Sequence, residues 1–94
     1  AVEYGTIDIP TAFTPNGDGN NDVLFVKGIG IDNMQLLIYN RWGELVFETN
    51  NYMVGWDGTF KGNMQPMEVY VYYLIGDFAD TNTFERKGNI TLLR

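Results

Sequence analysis

The chain has 94 residues, twelve acidic against six basic side chains for a net charge of −6, and neither Cys nor His. Its length supplies material for a single core, so residues 1–94 are expected to form one domain rather than two. The missing Cys and His exclude Cys/His zinc sites, thiol nucleophiles and a Ser-His-Asp triad, and the shortage of Lys and Arg argues against nucleic acid or an anionic membrane surface as partner.

No stretch places apolar residues at i, i+3, i+4 and i+7 over three turns, so helices are not expected. No apolar run approaches the roughly 20 residues of a membrane helix, and AVEYG carries neither an initiator Met nor a signal-peptide pattern; the chain reads as a module of something longer, without membrane insertion. A first strand is expected near 5–9, with a shorter piece around 12–14.

The run FTPNGDGNND follows. It sets side-chain oxygens at alternate positions, Asn16, Asp18, Asn20 and Asp22, with Gly17 and Gly19 between them. Calcium loops use that spacing because a hard cation takes six to eight oxygens and alternate residues of a tight loop can point inward. Two carboxylates fit a weak site of the order of 10⁻⁴–10⁻³ M, as in extracellular modules, with Asp57 as a further candidate ligand. The plainer alternative is an Asx-turn loop, in which Asn and Asp side chains satisfy backbone amides. No cofactor is required by either reading.

Strands are next expected near 23–28, 34–40 and 44–49. Met34, Leu36 and Ile38 alternate with Gln35, Leu37 and Tyr39, and Gly43 of NRWGELVF stands where a hairpin needs positive φ, which makes the last two antiparallel neighbours. Residues 50–68 are irregular, with a short piece around 59–61, and are expected to arch between sheets. The strand at 69–78 puts Val69, Val71, Tyr73 and Ile75 on one face and Tyr70, Tyr72 and Leu74 on the other. Being apolar on both, it is expected at the centre of a sheet, covered on one side by the opposing sheet and on the other by loops or a partner. ADTN at 79–82 turns the chain into a last strand at 83–93. About seven short strands with turns at these intervals describe a β-sandwich.

Five blocks in order, FTPNGDGNND, LIYNRWGELVFET, GWDGTFKGNMQP, VYVYYLI and KGNITLLR, resemble the gliding-motility-associated C-terminal domain, the type B sorting domain of the type IX secretion system of Bacteroidota. The likeness covers residues 7–94. It implies an immunoglobulin-like antiparallel β-sandwich at the C-terminus of large secreted or surface proteins. It also implies a non-enzymatic signal: the domain is recognised by the outer-membrane translocon and a PorP/SprF-type outer-membrane protein, and it carries a covalently attached N-terminal passenger through the periplasm to secretion or the cell surface. One departure is visible, since Met67-Glu68 stands where the family pattern has a Gly before the Val/Tyr strand.

Within this resemblance the terminal stretch Lys87, Gly88, Asn89, Ile90, Thr91, Leu92, Leu93 and Arg94 is the candidate recognition strand. Spacing alone reads it as an ordinary strand with Ile90 and Leu92 inward. As a signal it would offer an edge for β-augmentation, with basic ends steering toward an acidic partner. Trp42 and Trp56, each beside Gly, are expected to close the ends of the core with their N–H groups on loop carbonyls. Were either exposed beside the 13–22 loop, a calcium-dependent carbohydrate-binding or adhesive module would be the rival reading. The carboxylate pairs Asp77/Asp80 and Glu44/Glu48 read as solvated surface, and no residue is assigned a catalytic role.

Overall fold

The computed structural model describes residues 5–17 and 22–93. The chain builds β1 (Thr6–Asp8), β2 (Ala12–Phe13), β3 (Lys27–Ile29), β4 (Ile31–Tyr39), β5 (Leu45–Thr49), β6 (Thr59–Phe60), β7 (Asn63–Met64), β8 (Val69–Phe78) and β9 (Thr83–Leu92). One five-stranded sheet, ordered β2-β9-β8-β4-β5, forms the main layer. The facing layer is broken into pieces: the β1–β3 ribbon, a single antiparallel bridge between Leu24 and Trp56, and the β6–β7 hairpin. All pairings are antiparallel except β2 with β9. The whole is an all-β, immunoglobulin-like sandwich.

The alternation read from the sequence decides which residues fill it. Met34, Leu36 and Ile38 of β4 and Tyr70 and Leu74 of β8 point inward and are buried, with Phe84, Ile90 and Leu92 of β9 beside them. Phe13 of β2 joins them in the same sheet, and Ile7, Ile9, Leu24 and Val26 close over them from the other layer, giving one contiguous core. The nine elements among the described residues exceed the expected seven or so because the second layer is made of fragments. Instead of one strand over 23–28, Leu24 bridges Trp56 and the chain then changes partner to β1 from Lys27 onward. Leu24 and Val26 are buried and Val23 and Phe25 exposed, so the backbone is extended throughout, but the change of partner interrupts the ladder.

Turns follow local chemistry. At the β4–β5 hairpin Gly43 adopts φ 80°, a region nearly free of cost only for glycine, and its N–H donates to Asn40 O at 3.0 Å. The buried Asn40 side chain closes the turn: its Oδ1 accepts from the Trp42 and Glu44 amides, both at 2.9 Å, and its Nδ2 donates to Glu44 Oε1 at 3.0 Å. At the β8–β9 turn Asp80 Oδ1 accepts the Asn82 amide at 3.0 Å, and Thr81 takes φ 74°. Neither Met67 nor Glu68 has positive φ, so the place where this chain departs from the family's Gly is entered with ordinary backbone geometry. Segment 50–68 leaves the main sheet after β5, pairs with Leu24 at Trp56, forms β6–β7 and re-enters at β8.

Candidate functional site

Trp56 stands at the centre of the inner face. Its indole is 1% exposed and its Nε1–H donates to Thr59 O at 2.9 Å. Phe13, Phe47 and Tyr70 surround it at centroid distances of 5.3, 6.5 and 5.0 Å. Gly58, at φ 84°, lies so close to Pro15 and Leu92 that a Cβ there would stand 2.9 Å from Pro15 Cγ and 3.4 Å from Leu92 Cδ1. Phe13 and Pro15, Phe47, Trp56 and Gly58, Tyr70, and Leu92 come from five different sequence blocks in chain order. The blocks therefore meet in one packed cluster, and their order in the sequence reflects a shared fold rather than a set of reacting groups. Tyr70, near the start of β8, donates its hydroxyl to Pro66 O at 2.8 Å, the arrangement of the tyrosine corner in immunoglobulin-type sandwiches.

Trp42 behaves differently from the expectation that both indoles cap the core. It is 78% exposed, because it occupies the tip of the β4–β5 hairpin, where the Arg41 guanidinium lies 4.9 Å from its ring centroid.

The candidate calcium residues fall on both sides of what the structure describes: Asp18 and Asn20 lie outside the described residues. Asp22 Oδ1 accepts the amides of Asn16 at 3.2 Å and Gly17 at 3.0 Å, closing the loop as an Asx-type cap would. Asp57 is turned to its own loop, where Oδ1 accepts from the Thr59 amide at 3.0 Å and the Thr59 hydroxyl at 2.6 Å. Among the described residues no three Asp or Glu side chains gather about a common point.

The terminal strand divides along its length. Ile90 and Leu92 are buried in the core, while Lys87, Asn89 and Leu93 are exposed; Arg94 lies outside the described residues. The expected free edge is displaced toward the N-terminal half of β9. At its end β9 pairs in parallel with β2, Thr91 N donating to Thr11 O at 2.8 Å and Leu93 N to Phe13 O at 2.9 Å. Along 83–89 no strand among the described residues pairs with that same edge. Since alternate amides of a strand point to alternate sides, Thr83, Glu85, Lys87 and Asn89 direct their backbone groups to the open side.

The outer face of the main sheet was only half foreseen. Leu37 and Tyr39 of β4 with Val71, Tyr73 and Ile75 of β8 floor a shallow depression of about 720 Å³, bordered by Asn40, Arg41 and Gly43 of the hairpin turn. Tyr39 and Tyr73 meet edge to face at 6.0 Å. Val69, Tyr73 and Ile75 are 48, 38 and 42% exposed. The Lys87 ammonium lies 5.6 Å from the Tyr73 centroid, and Arg41 Nε reaches Glu68 Oε2 at 3.5 Å. The signal in the sequence is the doubly apolar β8; the two cations beside it carry no periodicity that would mark them as a pair.

No curated protein matches the chain. The family model described as CHU_C type IX secretion signal domain matches residues 7–92, the span that contains the hub around Trp56, the hairpin turn and all but the end of the terminal strand. The family is one of signal domains rather than enzymes, and a type IX secretion signal implies engagement with that secretion system and export to the medium or the cell surface. The chain belongs to the type IX secretion signal domain family.

Proposed function

We propose that the folded domain addresses a covalently attached N-terminal passenger to the outer-membrane type IX translocon. Docking takes place in the periplasm, on the translocon or on a PorP/SprF-type outer-membrane protein, and the passenger follows the domain out to secretion or surface display. The observation that carries this reading is the family match over residues 7–92 together with the convergence of its five blocks on one buried cluster. A signal whose defining residues are core and turn residues is read as a folded surface, not as a linear tag.

A reporter bearing residues 1–94 at its C-terminus, expressed in a bacterium with this system, tests the proposal. The fusion should reach the medium or the surface while the reporter without the domain stays inside the cell. Equal distribution of the two contradicts it. Deleting residues 87–94 is a poor substitute, because it removes Ile90 and Leu92 from the core and unfolds what it is meant to probe.

The rival, a calcium-dependent carbohydrate-binding or adhesive module, retains one supporting observation in the exposed Trp42. The other indole is buried, so a two-ring platform is not available to it. Glycan retention that is lost with Trp42→Ala and with chelator would favour this rival.

A further inference from the structure

We propose that the outer face of the five-stranded sheet, floored by Leu37, Tyr39, Val71, Tyr73 and Ile75, is where the export machinery docks, and that the docking segment presents an apolar anchor beside a carboxylate. The inference rests on the reading of the domain as an export signal, which makes a protein partner part of its function.

Both faces of this sheet are apolar, but among the described residues only the inner one is covered by other parts of the chain. The inner face is closed by Ile7, Ile9, Leu24, Val26 and Trp56. Opposite it, cross-strand register sets Leu37 beside Tyr73 and Tyr39 beside Val71, with Tyr73 next to Lys87. Rows of large apolar side chains on a solvent-facing sheet are costly to leave wet, and contiguous patches of this kind mark contact surfaces. Their two tyrosines are the rigid, amphipathic side chains that dominate contact energies at such surfaces.

Charge selects the occupant. The chain carries a net −6, yet a cation is held on this face. Lys87 is exposed, sits over the Tyr73 ring, and makes no ion pair with a carboxylate among the described residues. Arg41 borders the depression from the hairpin, with its side chain 64% exposed even while it touches Glu68. Glu48 and Glu85 flank the apolar rows across Leu37 and Ile75 respectively, and Glu68 already meets Arg41, so Lys87 is the cation of this face that has no carboxylate against it among the described residues. An incoming segment with a carboxylate set beside an aliphatic or aromatic anchor can meet Lys87 or Arg41 while filling the depression. A second copy of this acidic chain meets a like-charged molecule instead, which disfavours self-association at the same face.

The test uses the reporter fusion in a host with the type IX system, with exported fraction and the melting curve of the purified domain as paired readouts. Tyr73→Thr/Ile75→Thr removes the apolar anchor points while keeping β-branched side chains suited to a strand. Ile29→Thr/Met53→Thr alters exposed apolar residues away from this face and serves as the control. Expected are export of the wild-type and control fusions, and a loss of about tenfold or more for the face variant, as removal of contact hot spots produces, with a melting temperature lowered by no more than about 4–8 °C. Lys87→Glu should lower export as well, and Lys87→Arg should restore it. Export of the face variant at the wild-type level overturns the proposal while leaving the sorting function standing. Failure of the wild-type fusion overturns the sorting function and the docking face with it. If the face variant melts early, the exposed Lys87 series decides: equal export of Lys87→Glu and Lys87→Arg overturns the charged partner. Sedimentation showing a wild-type dimer that the face variant converts to monomer would make the occupant a second copy and overturn the choice of partner.

Discussion

The two faces of β8 are nearly equal in sequence and opposite in fate. Tyr70 and Leu74 on the inner face are fully buried, whereas Val69, Tyr73 and Ile75 on the outer face keep between 38 and 48% of their surface in water. Hydrophobicity therefore does not tell the faces apart; what does is whether other parts of the chain arrive to cover them. The inner face receives a side chain or turn from each of the five sequence blocks, gathered about Trp56. Among the described residues the outer face receives only the hairpin turn at its border and Lys87 across one ring. One face is spent on folding, and the other is left for a partner.

The comparison breaks most sharply at Trp56. Trp56→Ala deletes the hub's largest side chain and its hydrogen bond to Thr59, and a buried Trp truncation costs about 3–5 kcal/mol. In a domain with a total stability of about 5–15 kcal/mol this lowers the urea midpoint steeply or abolishes folding. A loss under about 1 kcal/mol would mean that the cluster is not what holds the layers together.

Next in size is Gly76→Ala, also on the inner face. A Cβ there would overlap Asn33 O and fall 2.6 Å from the Phe84 ring, and part of that contact is with backbone, which cannot swing aside. Overpacking of this kind costs about 1–3 kcal/mol, readable by thermal melting. The outer face should respond far less: Tyr73→Thr/Ile75→Thr changes stability by about 1 kcal/mol or less, since partly exposed surface positions lie near that range. If the outer variant destabilises as much as the inner one, the two faces are not divided between folding and recognition.

Calcium should have the smallest effect. A site of Kd about 10⁻³ M at 1 mM calcium adds about 0.4 kcal/mol, a rise of about 2 °C in melting temperature. With Asp22 already accepting two loop amides, the melting curve is expected to be the same in calcium and in chelator. A rise of about 2 °C or more would assign the loop to an ion.

Strands carried by long alternating patterns were legible in the sequence. The expected 34–40, 44–49, 69–78 and 83–93 correspond to Ile31–Tyr39, Leu45–Thr49, Val69–Phe78 and Thr83–Leu92, because inward and outward residues differ there or because β-branched and aromatic residues run unbroken. The hairpin at Gly43 was legible for a local reason, its need for positive φ. Residues 23–28 were not read correctly as one strand, since a change of ladder partner leaves no mark in local alternation. Trp42 and Trp56 share a neighbouring Gly, but their burial differs because one lies at a hairpin tip and the other under Phe13 and Tyr70, a distinction set by long-range contacts. The same limit applied to the terminal strand. Its inward residues could be read from spacing, whereas the covering of its edge by β2 depends on a segment almost eighty residues earlier.

The division of labour between the faces is tested most directly by export of the reporter fused to the wild-type domain and to Tyr73→Thr/Ile75→Thr, measured beside their melting curves. The account predicts that the variant melts close to the wild type, within the stability change of about 1 kcal/mol or less given above, yet stays inside the cell. A variant that melts like the wild type and is exported like the wild type would contradict it.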